Sequence, residues 1–257
     1  MTASHAYARR VRPFVLLATR ADDAVADAEY EAFRRYGGLA RDELVRVRLE
    51  AGPLAAAVPG FDPADYAGLI IGGGPFNAGD PPGTKPEVQL RVETELGGVL
   101  DDVVARDIPL LGACYGVGTL GTRFGGVVDG TYAEPIGAVP VTLTDEGRAD
   151  PLLAGLPASF DAFVGHKEAC STLPPDAALL ASSPACPVQM FRLGSHVYAT
   201  QFHPELDVAG IVDRIRAYRH DGYFPVAEVE AVVASVRGAR VRVPPRIVAR
   251  FVELFGR

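Results

Sequence analysis

Short apolar runs alternate along this chain with longer stretches whose apolar residues recur at helical spacing, and that alternation predicts parallel strands joined by crossover helices. Phe14 to Ala18 reads as the first strand, and Ala21 to Tyr36 as a helix stopped by Gly37-Gly38. Val45 to Leu49 alternates apolar and basic positions, which predicts an exposed or edge strand. Tyr66 to Ile71 is the next strand and ends in Gly72-Gly73-Gly74. The Pro- and Gly-rich stretch from Pro75 to Pro86 reads as a loop, Lys85 to Arg106 as a long helix, and Ile108 to Ala113 as a buried strand. After Gly125-Gly126 the pattern turns to strands at Ala138 to Leu143, Phe160 to Gly165, Ala177 to Ala181, Val188 to Leu193 and His196 to Phe202, the last two joined by a hairpin at Gly194-Ser195. From Asp207 onward it is helical again, with amphipathic segments at Val226 to Val236 and Pro244 to Phe255. The expected fold class is α/β, an open and mostly parallel sheet with helices on both faces, extra antiparallel strands in the second half and a helical C-terminal extension. The apolar face of the last helix is expected to pack on the sheet, with a partner or homo-oligomer surface as the alternative.

Composition narrows the function classes. With 257 residues, 48% hydrophobic and 22% charged, the chain is that of a folded protein able to bury a full core. A formal charge of -7 argues against a nucleic-acid or anionic-membrane partner, either of which favours a cationic face. Cys114, Cys170 and Cys186 are too few and too irregularly placed for a disulfide framework or a repeated metal-binding pattern, so a reducing, cytoplasmic setting with no metal and no cofactor is expected. Arg9, Arg10 and Arg12 before Phe14-Val15-Leu16-Leu17-Ala18 superficially resemble a secretory signal, but the apolar run is short and Asp22 and Asp23 follow it. No run approaches the roughly 20 apolar residues of a membrane helix. Gly72-Gly73-Gly74 lacks both the Gly-x-Gly-x-x-Gly spacing and the Gly-Lys-Ser/Thr ending of nucleotide loops.

The chemistry concentrates at Leu110-Leu111-Gly112-Ala113-Cys114-Tyr115-Gly116, where a buried strand meets a glycine turn. A thiol on such a strand-to-helix elbow is presented at the carboxyl edge of a sheet, and the positive end of the following helix is expected to favour its thiolate. Far downstream, Gln201-Phe202-His203-Pro204-Glu205 supplies a base and a carboxylate two residues apart, expected on the same side of an extended segment. Together they read as a nucleophile site for attack on a carbonyl. Cys170 and Cys186 have no such constellation and read as buried small hydrophobes.

These three residues, with Gly72-Gly73-Gly74-Pro75 after an earlier strand, resemble the three signatures of the class I, triad-type glutamine amidotransferases, and Gly165-His166-Lys167-Glu168 with Leu173-Pro174 is similar to a segment of their GMP synthase-like branch. The likeness runs in one consistent order over about residues 10 to 210. It implies a flavodoxin-like single domain over 1 to 257, with the extension beginning at about 211. It also implies a stand-alone glutaminase, with Cys114 as nucleophile, His203 as general base and acid, Glu205 orienting the imidazole, the amides of Gly74 and Tyr115 as oxyanion donors, and Gly73, Pro75 and His166 on the substrate side. Ammonia would pass to a separate synthase subunit. One position departs from the pattern: Gly118 stands where relatives usually carry a substrate-holding glutamine. Asn77, Gln201 or Glu168 would then hold the amino-acid end, or the substrate is another γ-glutamyl compound, as for the related γ-glutamyl hydrolases and peptidases. A metabolite-binding regulatory domain with weak catalysis is the third alternative.

Overall fold

The computed structural model describes residues 12–220 and 224–256; Arg9 and Arg10 lie outside them. In chain order the elements are β1 (Phe14–Ala18), α1 (Asp23–Gly37), β2 (Leu44–Arg48), α2 (Leu54–Ala57), β3 (Leu69–Ile71), α3 (Glu87–Ala105), β4 (Leu110–Ala113), α4 (Tyr115–Arg123), β5 (Val127–Asp129), β6 (Glu134–Leu143), α5 (Asp145–Ala149), β7 (Ser159–His166), β8 (Ala169–Thr172), β9 (Ala177–Ser182), β10 (Met190–Leu193), β11 (Val197–Thr200), α6 (Val208–Ala217), α7 (Val229–Arg237) and α8 (Pro244–Phe255). Among the described residues one sheet runs β2-β1-β3-β4-β11-β10-β9-β6-β7, and β5 pairs with β8 in a small second one. The first five strands of the large sheet are parallel and the rest join antiparallel. That is the expected α/β arrangement, with the alternating apolar-basic strand β2 at an edge.

Period-two alternation splits the core. Phe14, Leu16 and Ala18 face a cluster with Phe33 of α1 and Ile247, Val248 and Phe251 of α8, while Val15 and Leu17 face a second one with Val92 and Leu96 of α3 and Leu120 of α4. A third cluster joins Ile211 and Ile215 of α6 to Val233 and Val236 of α7 over Phe163 of β7. The last helix therefore packs on the sheet side of the molecule, as its apolar stripe predicted; losing a buried ring such as Phe251 typically costs about 3–5 kcal/mol.

Local chemistry moved several boundaries. α1 begins at Asp23 because Asp22 caps it, its carboxylate accepting from the Val25 amide at 3.0 Å, and Gly38 closes it at φ 65°. The strand expected from Tyr66 forms only over Leu69–Ile71, since Pro63–Asp65 winds a short 3-10 turn and the Tyr66 ring stacks on Phe61. Strand β6 starts four residues earlier than Ala138, because Glu134 already pairs with His166 in register. The pair β5 and β8 was missed: three- and four-residue strands are too short to show periodicity.

Candidate active site

Three parallel neighbours end at one rim. In register, Ile71 of β3 lies beside Gly112 of β4, and Thr200 of β11 beside Ala113. The chain therefore delivers Gly72-Gly73-Gly74, Cys114 and Gln201-Phe202-His203 side by side at the carboxyl ends of adjacent strands, where open α/β sheets place their sites. Cys114 and Gly74 border two small cavities, one shared with His203, Arg20, Arg214 and Tyr218, the other with Asn77, His166, Glu168 and Gln201.

The elbow itself is strained. Cys114 sits at φ 52° and ψ -86°, a left-handed φ for a residue with a side chain, which typically costs about 1–3 kcal/mol and is held by its surroundings. Its amide donates to the Thr200 carbonyl at 2.7 Å. Glycine at 112 is a steric requirement of the elbow: a Cβ there would stand 3.0 Å from the Gly116 Cα. The thiol is half-buried, and desolvation pushes it up to about 12 against the pull of Arg20 and Arg214. Burial works against the resting thiolate expected from the start of α4, with Arg20 and Arg214 favouring it.

His203 and Glu205 meet in a turn and not on an extended strand: His203 Nδ1 lies 2.9 Å from Glu205 Oε1. Since an ionised carboxylate only accepts, Nδ1 carries the proton and Nε2 is left basic. Burial lowers His203 below its ordinary value, with Arg214 adding to that and Glu205 opposing it, so the imidazole rests neutral. Burial works to raise Glu205, but His203 and Arg214 hold it ionised, at about 2.

Sequence reasoning missed the charges behind this pair. Arg214 Nη1 donates to Glu205 Oε1 at 3.2 Å and lies 3.0 Å from His203 Nδ1. Arg20 Nε donates to Glu29 Oε1 at 2.8 Å, and the same oxygen accepts from the Gly73 amide at 3.1 Å. Glu29 thus ties α1 to the glycine loop. All are buried. A signal existed: Glu29 falls on the stripe Val25, Ala26, Phe33, and Arg214 among Ile211, Val212 and Ile215, and a charge on an apolar face demands a buried partner.

The glycine loop is packed too closely for side chains. A Cβ at Gly73 would stand 2.9 Å from His203 Cε1, and one at Gly74 would overlap Thr19 Oγ1. Among the described residues no acceptor takes the Gly74 amide, and Tyr115 opens α4, so its amide has no partner within the helix. Pro75 follows in the same loop. His166 borders the Glu168-side cavity, but both ring nitrogens are engaged, Nδ1 with the Glu168 carbonyl and Nε2 with Glu134 Oε2, each at 2.9 Å.

One group departs from the expectation of no metal-ligand cluster: ligand atoms of Glu134, His166 and Cys186 lie within 4.8 Å of one another, all buried. Residues so far apart in the chain leave no spacing signature. Among the described residues no helix is long and apolar enough to cross a membrane.

An elbow cysteine, an imidazole backed by a carboxylate and a side-chain-free loop thus stand together at one rim. Likeness to known proteins narrows this. Residues 43–209 match the family model described as glutamine amidotransferase class-I, and the chain belongs to that family. Among curated relatives, the glutamine-hydrolyzing GMP synthase of Thermosipho africanus is 29% identical over 150 residues, 58% of this chain and 26% of that protein. The chain thus spans about a quarter of that relative's length. In Methanobrevibacter smithii, a protein described as one subunit of a glutamine-hydrolyzing GMP synthase is 26% identical over 64% of this chain and 77% of that one. A glutamine amidotransferase structure from Thermotoga maritima shares the fold, with a TM-score of 0.74 at 18% identity over 95% of this chain and 98% of that one.

Proposed function

We propose that this chain is a glutaminase-type amidotransferase in a single domain, with Cys114, His203 and Glu205 as its triad and the amides of Gly74 and Tyr115 as oxyanion donors. Cys114 Sγ attacks the γ-carboxamide carbon of glutamine while His203 Nε2 takes the thiol proton. Burial favours the neutral thiol, so proton transfer to His203 accompanies the attack. The amides receive the developing oxyanion, worth about 2.7–4 kcal/mol per donor. His203 then returns the proton to the departing nitrogen, ammonia leaves, and a γ-glutamyl thioester remains. Water attacks the thioester with His203 again as base, releasing glutamate and restoring the thiol. The observation that carries this reading is the convergence of β3, β4 and β11 on one rim. The resemblance to a relative described as one subunit of a GMP synthase supports delivery of ammonia to a separate synthase partner. Ammonia release from glutamine, abolished in Cys114→Ala, is the expected result; equal release from that variant would overturn the assignment.

A second reading, hydrolysis of another γ-glutamyl compound, is favoured by Gly118, which offers no side chain where relatives carry a substrate-holding glutamine. Turnover of γ-glutamyl dipeptides without turnover of glutamine would establish it.

A further inference from the structure

The cluster of Glu134, His166 and Cys186 has no part in the chemistry of Cys114, and its acceptors outnumber its donors. Glu134 opens β6, His166 ends β7 directly beside it in register, and Cys186 lies in the β9–β10 connection. None is more than 5% exposed. His166 Nδ1 meets the Glu168 carbonyl at 2.9 Å, and since a carbonyl only accepts, Nδ1 carries the proton. Nε2 then turns a lone pair toward Glu134 Oε2, also at 2.9 Å, and two acceptors cannot meet without a proton or a cation between them. Two more oxygens are buried here without a partner among the described residues, Glu134 Oε1 and the Oε1 of Gln189. Gln189 belongs to the same group, its Nε2 donating to Glu134 Oε2 at 2.7 Å. The Cys186 thiol reaches the Val188 carbonyl at 3.5 Å.

Such a surplus of buried acceptors calls for a cation. The three ligand atoms lie within 4.8 Å of one another. A tetrahedral zinc ion with bonds of about 2.0–2.3 Å spaces its ligands roughly 3.3–3.6 Å apart, so shifts on the order of 1 Å close the shell. We propose that Glu134, His166 and Cys186, with Gln189 Oε1 as the fourth donor, hold a structural zinc ion. Thiolate and imidazole suit zinc and not the hard cations that favour all-oxygen sites. One thiolate and one carboxylate offset the two charges of the ion, so the buried group is neutral as a whole. A metal-bound imidazole commonly gives its other N–H to a carbonyl, as Nδ1 does here. Because all three ligands are buried, the site is of the closed, structural kind, fastening the ends of β6 and β7 to the β9–β10 connection. His166 also borders the Cys114 cavity, so the ion stiffens one of its walls. The proposal does not depend on what Cys114 attacks.

The test uses the full chain without a histidine tag, carrying Cys114→Ser so that the elbow thiol cannot bind metal, and produced in medium containing zinc sulfate or cobalt chloride. Elemental mass spectrometry should find about one metal ion per chain, and the cobalt form should show the near-ultraviolet charge-transfer band of a thiolate ligand. Adding Cys186→Ser should abolish that band. It should also weaken zinc retention against a competing chelator by at least about 10- to 100-fold, the usual cost of losing even a hydrogen-bond partner of a metal ligand. Cys170→Ser removes an equally buried thiol and should alter neither reading. A chain without metal, cobalt bound without the band, or a band lost with Cys170 in place of Cys186 would overturn the proposal. Should Cys186→Ser fail to fold, X-ray absorption at the zinc edge of the parent protein decides. One sulfur at about 2.3 Å with nitrogen and oxygen neighbours supports the site, and a shell of nitrogen and oxygen alone, or one with two sulfurs, overturns it.

Discussion

The two sides of Cys114 are built in different ways. On the His203 side, the buried charges of Arg20, Glu29, Glu205 and Arg214 come from the β1–α1 connection, from α1 and from the segment leading through α6, and they lean on one another through shared carboxylate oxygens. On the Glu168 side, a single carboxylate is held by main-chain amides of the loop at Ala78 and Gly79. The first arrangement fixes protonation states and leaves few donors unspent. Acceptors stay in reserve on both sides, Glu29 Oε2 and Glu205 Oε2 on the first and Gln201 Oε1 on the second. A group that must shuttle a proton benefits from a field that does not change, whereas a group that must receive a ligand has to remain incompletely satisfied.

That division can be broken by experiment. The largest effect is expected for His203→Ala, which removes the base: kcat should fall about 100-fold to 10,000-fold with KM nearly constant. A variant that altered only KM would move His203 to the binding side and erase the contrast. Gly118→Ala should act in the opposite sense. Its methyl group must displace a pinned carboxylate or Ala78, so the KM for glutamine should rise about tenfold, the effect of some 1.4 kcal/mol, while kcat holds. Steady-state kinetics on the two variants read both parameters, and a loss confined to kcat in Gly118→Ala would merge the two regions.

The smallest effect is the most diagnostic. Arg214 lowers His203, so Arg214→Gln should raise it, and the acid limb of kcat/KM should shift to higher pH. The variant then loses activity near pH 6 while matching the wild type above pH 8. A limb that stayed put or moved to lower pH would mean that Arg214 supports the turn at Glu205 without tuning the imidazole.

Much of this was legible in the sequence. Cys114, His203 and Glu205 announced themselves because elbow glycines and a His-Pro-Glu run are local patterns, and the buried strands β1, β3 and β4 brought two of the three motifs to one rim by alternation alone. The departure at Gly118 was visible, with Glu168 among several residues able to answer it. What the sequence could not show is that the loop at residues 77–80 folds against the β7–β8 turn, bringing Glu168 to Gly118 through a contact between segments about ninety positions apart. The buried ion pairs failed to register for the same reason, since helix periodicity marks a charge as misplaced without naming the partner that makes it tolerable. The burial that raises the Cys114 thiol was not legible, because a helix N-terminus is a sequence signal and desolvation is not.

Strand β11 lies between β4 and β10, although it is the last strand among the described residues. A growing polypeptide therefore exposes Cys114 long before its base and carboxylate exist, and the gap beside β4 stays open until residues 197–200 insert. Until then the elbow lacks the Thr200 carbonyl that receives its amide. Order of synthesis thus acts as a safety catch: a truncated product ending anywhere before the final strand carries a sulfur with no machinery around it.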